Sequence, residues 1–140
     1  MRKGFSLLTA IVFLVLVASI SVLALFFSVQ SSKQTTDIFL KTQAELLARS
    51  GTEFAVLAMS GHDYSLSCLE SVNIEHNNMF DINISIQYIG NGLPAGCPQL
   101  GVDITTDDSN RTVIIDTVVT TKSNIATENI RLHRRTIQKP

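Results

Sequence analysis

The sequence predicts an α+β protein: a long N-terminal helix, its first half transmembrane, packed on a small antiparallel β-meander. Three observations carry that reading. From Phe5 to Val29 there are 25 consecutive residues without a charge, a glycine or a proline. Beyond them an apolar stripe of helical spacing continues to about Ala58. From Phe80 onwards the periodicity changes from helical to alternating, with turn residues between the runs. The expected organisation is a basic leader (1–4), a transmembrane helix (5–29), an amphipathic extension of the same helix (30–61), a connecting αβ loop (62–79) and a β-sheet head (80–140).

At about 1.5 Å of rise per residue, the apolar run reaches about 37 Å, enough to cross a hydrocarbon core of about 30 Å with some tilt. Arg2 and Lys3 precede it, and no acidic residue appears before Asp37. The positive-inside bias therefore places the N-terminus in the cytoplasm and the remainder across the membrane. A cleaved secretory signal has an apolar region of only about 7–15 residues and small residues at its cleavage site. Here the run is longer and ends in Leu25-Phe26-Phe27-Ser28-Val29. A retained membrane helix fits better.

The leader Met1-Arg2-Lys3-Gly4, followed by Phe5-Ser6-Leu7-Leu8, resembles the processing site of type IV prepilins and of type II secretion pseudopilins. The resemblance implies cleavage between Gly4 and Phe5 by the prepilin peptidase and N-methylation of Phe5. It also implies a pilin-like fold and other pilin or pseudopilin subunits as partners; with no P-loop, nucleophile elbow or Gly-rich dinucleotide loop in the sequence, neither a cofactor nor enzymatic activity is expected. The subunit would cross the inner membrane once, with its head in the periplasm or in an extracellular filament. One position departs from the family: the usual Glu at the fifth mature residue is Thr9 here. A threonine hydroxyl can bond back to its own helix but cannot neutralise a neighbour's N-terminal ammonium. That points to a minor subunit rather than a self-polymerising major one. The tip-type subunit also lacks this Glu but has a larger head, so the subunit class stays open.

After a polar interface at Gln30–Lys33, the residues Leu40, Ala44, Leu47, Gly51, Phe54 and Ala58 recur at alternating steps of four and three. Lys41, Glu45, Arg49 and Glu53 alternate in sign at i,i+4 on another face. Packing on the chain's own sheet is expected, with a short coiled coil as the alternative. Gly61 is the expected C-terminal cap.

The two cysteines, Cys68 and Cys97, both lie beyond the membrane run in loop-like sequence. In an oxidising compartment they predict one disulfide; two buried free thiols are the alternative. Strands are expected at Phe80–Tyr88, Leu100–Thr105, Arg111–Thr121 and Asn129–Ile137, the last as an edge.

Charge is unevenly spread. Ten acidic residues lie between Gly51 and Glu128 against Arg111 and Lys122, whereas Arg131, Arg134, Arg135 and Lys139 crowd the C-terminus. Such a basic tail can guide subunit docking. It also supports an alternative reading, a competence or adhesion filament subunit, where Arg131, Arg134 and Arg135 contact DNA phosphates or a surface ligand. A single-pass membrane-anchored protein unrelated to pili is a second alternative. His62, His76 and His133 are scattered and no zinc spacing is present. Asp107 and Asp108 form a weak calcium candidate at a turn without EF-hand spacing. Sequons occur at Asn83 and Asn110.

Overall fold

A computed structural model describes residues 3–90, 93, 96–101, 104, 106 and 112–139, with side chains from Leu7 onwards. The chain is α+β: helix α1 spans Lys3–Ser60, and strands β1 (Ser71–His76), β2 (Phe80–Ile89), β3 (Gln99–Gly101), β4 (Thr112–Thr121) and β5 (Arg131–Gln138) follow. It divides into two compact units, Met1–Ile38 and Phe39–Pro140.

The first unit is the N-terminal part of α1. It contains a segment long and apolar enough to cross a membrane. Every described side chain from Leu7 to Gln30 is exposed. Two hydroxyls of its apolar run are satisfied locally: Ser19 donates to the Val15 carbonyl at 2.5 Å and Ser21 to that of Val17 at 2.8 Å. Such i−4 bonds let serine lie in an apolar helix without an open polar group.

In the second unit the strand order is β1-β2-β4-β5, antiparallel throughout, with β3 set against β2. Alternation drives this arrangement. Phe80, Ile82, Ile84, Ile86 and Tyr88 of β2 and Val113, Ile115 and Val119 of β4 point to one face, where Leu40, Ala44, Ala48, Ala55 and Met59 of α1 cover them. The small helix residues allow close approach. A Cβ added at Gly51 would stand 3.2 Å from Ile82 Cγ2 and 3.4 Å from Thr117 Cγ2. The open space at Gly51 is thus filled by the sheet, which offsets a helix-propensity cost of about 1 kcal/mol.

Four sequence expectations need correction. The stripe expected through Phe54 and Ala58 runs instead through Ala55 and Met59, leaving Phe54 48% exposed. A straight α-helix turns about 20° per heptad against a seven-residue repeat, so the buried line advances to the next position. Within the expected loop 62–79 lies a strand, β1, paired with β2 from Ser71↔Ser85 to His76↔Phe80. Only Val72 and Ile74 mark it as a strand. The turn that makes it a hairpin is Asn77-Asn78, both at positive φ (51° and 56°), a conformation that asparagine tolerates.

The strand expected at Leu100–Thr105 is the three-residue β3, and it runs parallel to β2 through Tyr88↔Gln99. It is not a meander strand; Gly90 and Gly96, between β2 and β3, both take positive φ. Gly61 does not adopt the left-handed cap conformation. The helix end is closed by the Ser60 hydroxyl on the Leu57 carbonyl (2.7 Å) and by the Gly61 amide on the same carbonyl (3.2 Å).

Candidate functional site

Gly4 and Phe5 lie in the first turn of α1, where the backbone alone is described. Thr9 is in the same helix with an exposed side chain. The surface around it, from Leu7 through Val29, carries large apolar side chains on all sides, as required of a helix meeting lipid or other apolar helices.

A disulfide joins Cys68 to Cys97 and so ties the segment before β1 to the loop before β3. The same segment is held by Tyr88, whose buried phenol donates to the Leu69 carbonyl at 2.9 Å. Tyr64 stacks edge-on against Tyr88, and His62 against Tyr64. Burial pushes the Tyr88 phenol up from its ordinary value, with Tyr64 adding to the shift. The group therefore stays a neutral donor at any physiological pH.

The third constellation was not legible as such in the sequence. Asp116 sits mid-strand in β4, on the face away from the helix, and is only 9% exposed. Arg135, its cross-strand partner on β5, donates from Nε to Oδ1 at 2.7 Å and from Nη2 to Oδ2 at 2.8 Å. His133 Nε2 lies 2.7 Å from Oδ1. The Arg135 guanidinium holds the Asp116 carboxyl below the usual carboxylate range, against the upward push of burial, and the His133 contact adds to the lowering. Reciprocally, Asp116 raises Arg135. The two fork bonds are the strong bidentate kind, so the charges largely satisfy one another. The available signal was a lone acid in the run Val113-Ile-Ile-Asp116-Thr-Val-Val119, which required a partner on the neighbouring strand.

This arrangement alters the basic tail. Arg131, Arg134 and Arg135 all lie on β5, but the Arg135 guanidinium is engaged by Asp116, whereas Arg131 and Arg134 form no ion pair among the described residues. A second ionic group lies at the other end of the sheet. Lys122 contacts Glu75, Asn78 Oδ1 at 3.1 Å and Asp81 Oδ1 at 3.8 Å, joining the β1–β2 hairpin to the end of β4.

Among the described residues, no three His, Cys, Asp or Glu side chains come together as metal ligands. The calcium candidate Asp107 and Asp108 and the sequon residue Asn110 lie outside the described residues; Asn83 is exposed on β2. The geometry defines an α+β protein with a long apolar N-terminal helix and a disulfide-bearing sheet. No family model, curated protein or solved structure matches the chain.

Proposed function

We propose that the protein is a minor structural subunit of a type II secretion pseudopilus or type IV pilus-like filament. The prepilin peptidase cuts between Gly4 and Phe5, Phe5 is methylated, and the apolar helix anchors the chain in the inner membrane until it assembles. The carrying observation is the junction of Lys3-Gly4-Phe5 with 25 uncharged residues, in a helix whose later turns cover an antiparallel sheet. Two further features support it. The side chains from Leu7 to Val29 are exposed and, apart from Thr9, Ser19, Ser21 and Ser28, apolar, so the segment is stable only in lipid or against other apolar helices. The disulfide suits an oxidising compartment beyond the membrane. On this reading the chain works by packing and catalyses nothing. Thr9 leaves the methylated terminus of a neighbour without a counter-charge, which favours a minor place in the filament.

The test is the N-terminal mass of the protein from its own cells, with and without the prepilin peptidase. A mature chain starting at methylated Phe5, and lost without the peptidase, is the expected result. An intact Met1 in both strains would overturn the reading.

A further inference from the structure

Among the described residues, β1 and β5 each pair on one side only, β1 with β2 and β5 with β4. The register shows which backbone groups are open. The Thr121 amide bonds the Ile130 carbonyl at 2.9 Å, and in an antiparallel ladder such bonded pairs recur at every second residue. Leu132, Arg134 and Thr136 of β5 thus turn their amides and carbonyls to β4, while Arg131, His133 and Arg135 turn theirs outward. On the opposite edge the Ile86 amide bonds the Glu70 carbonyl at 2.8 Å. By the same alternation Ser71, Asn73 and Glu75 of β1 present their backbone groups outward.

The two edges are complementary in three respects. Their directions match: with the order β1-β2-β4-β5, all antiparallel, β1 and β5 run oppositely. A second copy in the same orientation therefore brings its β1 antiparallel to β5, with the same face of the sheet outward. Their charges match, since β5 carries no acid and two arginines, Arg131 and Arg134, without an ion pair among the described residues, while Glu70-Ser-Val-Asn-Ile-Glu75 carries two acids and no base. Their apolar residues match as well: Val72 and Ile74 on one edge and Leu132 on the other are half-buried against the core and incompletely covered.

We propose that β5 of one copy adds antiparallel to β1 of a second copy, continuing the sheet from head to head. The register that aligns all three features sets Glu75 opposite Arg131, Asn73 opposite His133 and Ser71 opposite Arg135, with Ile74 facing Leu132 on the helix side. Each of the first three pairs exchanges two backbone hydrogen bonds. Glu75 Oε1 already takes Lys122, leaving Oε2 for Arg131 of the neighbour. Charge on an edge strand ordinarily deters pairing. Here the β5 arginines deter a second β5 and admit an acidic edge, which gives the contact its polarity. Within one chain Glu75 and Arg131 cannot meet, because three strand spacings of about 4.8 Å separate the two edges.

The inference rests on the proposed function only in that it places the sheets of all copies on one side of one membrane; the pairing is between sheets and needs no contact between N-terminal helices. It is tested on the full chain in its own membrane. A photo-reactive phenylalanine analogue replaces Ile137, an edge residue 67% exposed, and cross-linked peptides from mixed light- and heavy-isotope chains are mapped. Links between isotopically different chains that fall in residues 67–76 are expected. Links confined to other segments, or none between chains, would overturn the proposal. As a second arm, R131E should cut the cross-link yield at least fivefold. The charge swap R131E with E75R in the same chain should bring it back, because each copy supplies both edges. Failure of the swap to restore the yield, while both variants accumulate like the parent, would count against this register. The N-terminal mass of the same samples separates the two readings: methylated Phe5 without the cross-link leaves the filament subunit standing and removes only the edge pairing.

Discussion

The hydroxyl of Thr117 donates to Thr52 Oγ1 across 3.1 Å at the buried boundary between helix and sheet. The direction follows from proton count. Thr52 gives its own hydroxyl hydrogen to the Ala48 carbonyl at 2.8 Å, so towards Thr117 it can only accept. Both residues are nearly inaccessible, Thr52 at 3% and Thr117 at 0%.

That direction makes the two threonines unequal. In Thr117→Val the Thr52 hydroxyl keeps its bond to Ala48, and a loss of about 0.5–1 kcal/mol is expected. In Thr52→Val the Thr117 hydrogen is left buried without its acceptor, and the expected loss is about 1–3 kcal/mol. Denaturant unfolding of the two variants in detergent checks the order. Equal losses, or a larger loss for Thr117→Val, would refute the assignment.

Asp116 sets an acid limit. Its folded pKa is depressed, chiefly by Arg135, so the unfolded chain binds its proton more readily. The stabilisation is therefore fully present above the unfolded carboxylate value of about 3.9 and is lost as pH falls through the lower folded value. Asp116→Asn should cost about 1–2 kcal/mol at pH 7. The gap between variant and parent should narrow as pH drops below about 4. Stability curves of both proteins from pH 7 to pH 2.5 decide it, and a pH-independent gap would show that the charge is not the cause.

Cys68 and Cys97 are 29 positions apart, and closing a loop of that size removes about 3–4 kcal/mol of chain entropy from the unfolded state. The double variant C68S/C97S should lose stability of that order, while the unit beginning at Phe39 keeps its β-sheet circular-dichroism signal. The Tyr88–Leu69 hydrogen bond is expected to hold the segment before β1 in place without the bridge. A loss below about 1 kcal/mol would mean that the unfolded chain is already constrained there.

Where one residue type repeats at a fixed period, the sequence was sufficient. The uncharged run from Phe5 and the alternation from Phe80 to Tyr88 each follow from rules local to the chain. Strand β1 was obscured because an edge strand buries only half a face, so Val72 and Ile74 were its whole apolar signature. Its true marker was the Asn77-Asn78 turn, which specifies a hairpin through backbone conformation rather than hydrophobicity.

By itself, then, the chain determined its main elements: an apolar helix too long for a small core and the alternating strands of a sheet. Only the tertiary structure decided which partners met. It moved the helix contact from Phe54 to Ala55, because a real helix does not keep a seven-residue period. It turned β3 parallel, and it brought Arg135 and His133 onto Asp116. Those outcomes depend on strand order and register, which pair residues far apart in sequence and leave no periodic trace along it.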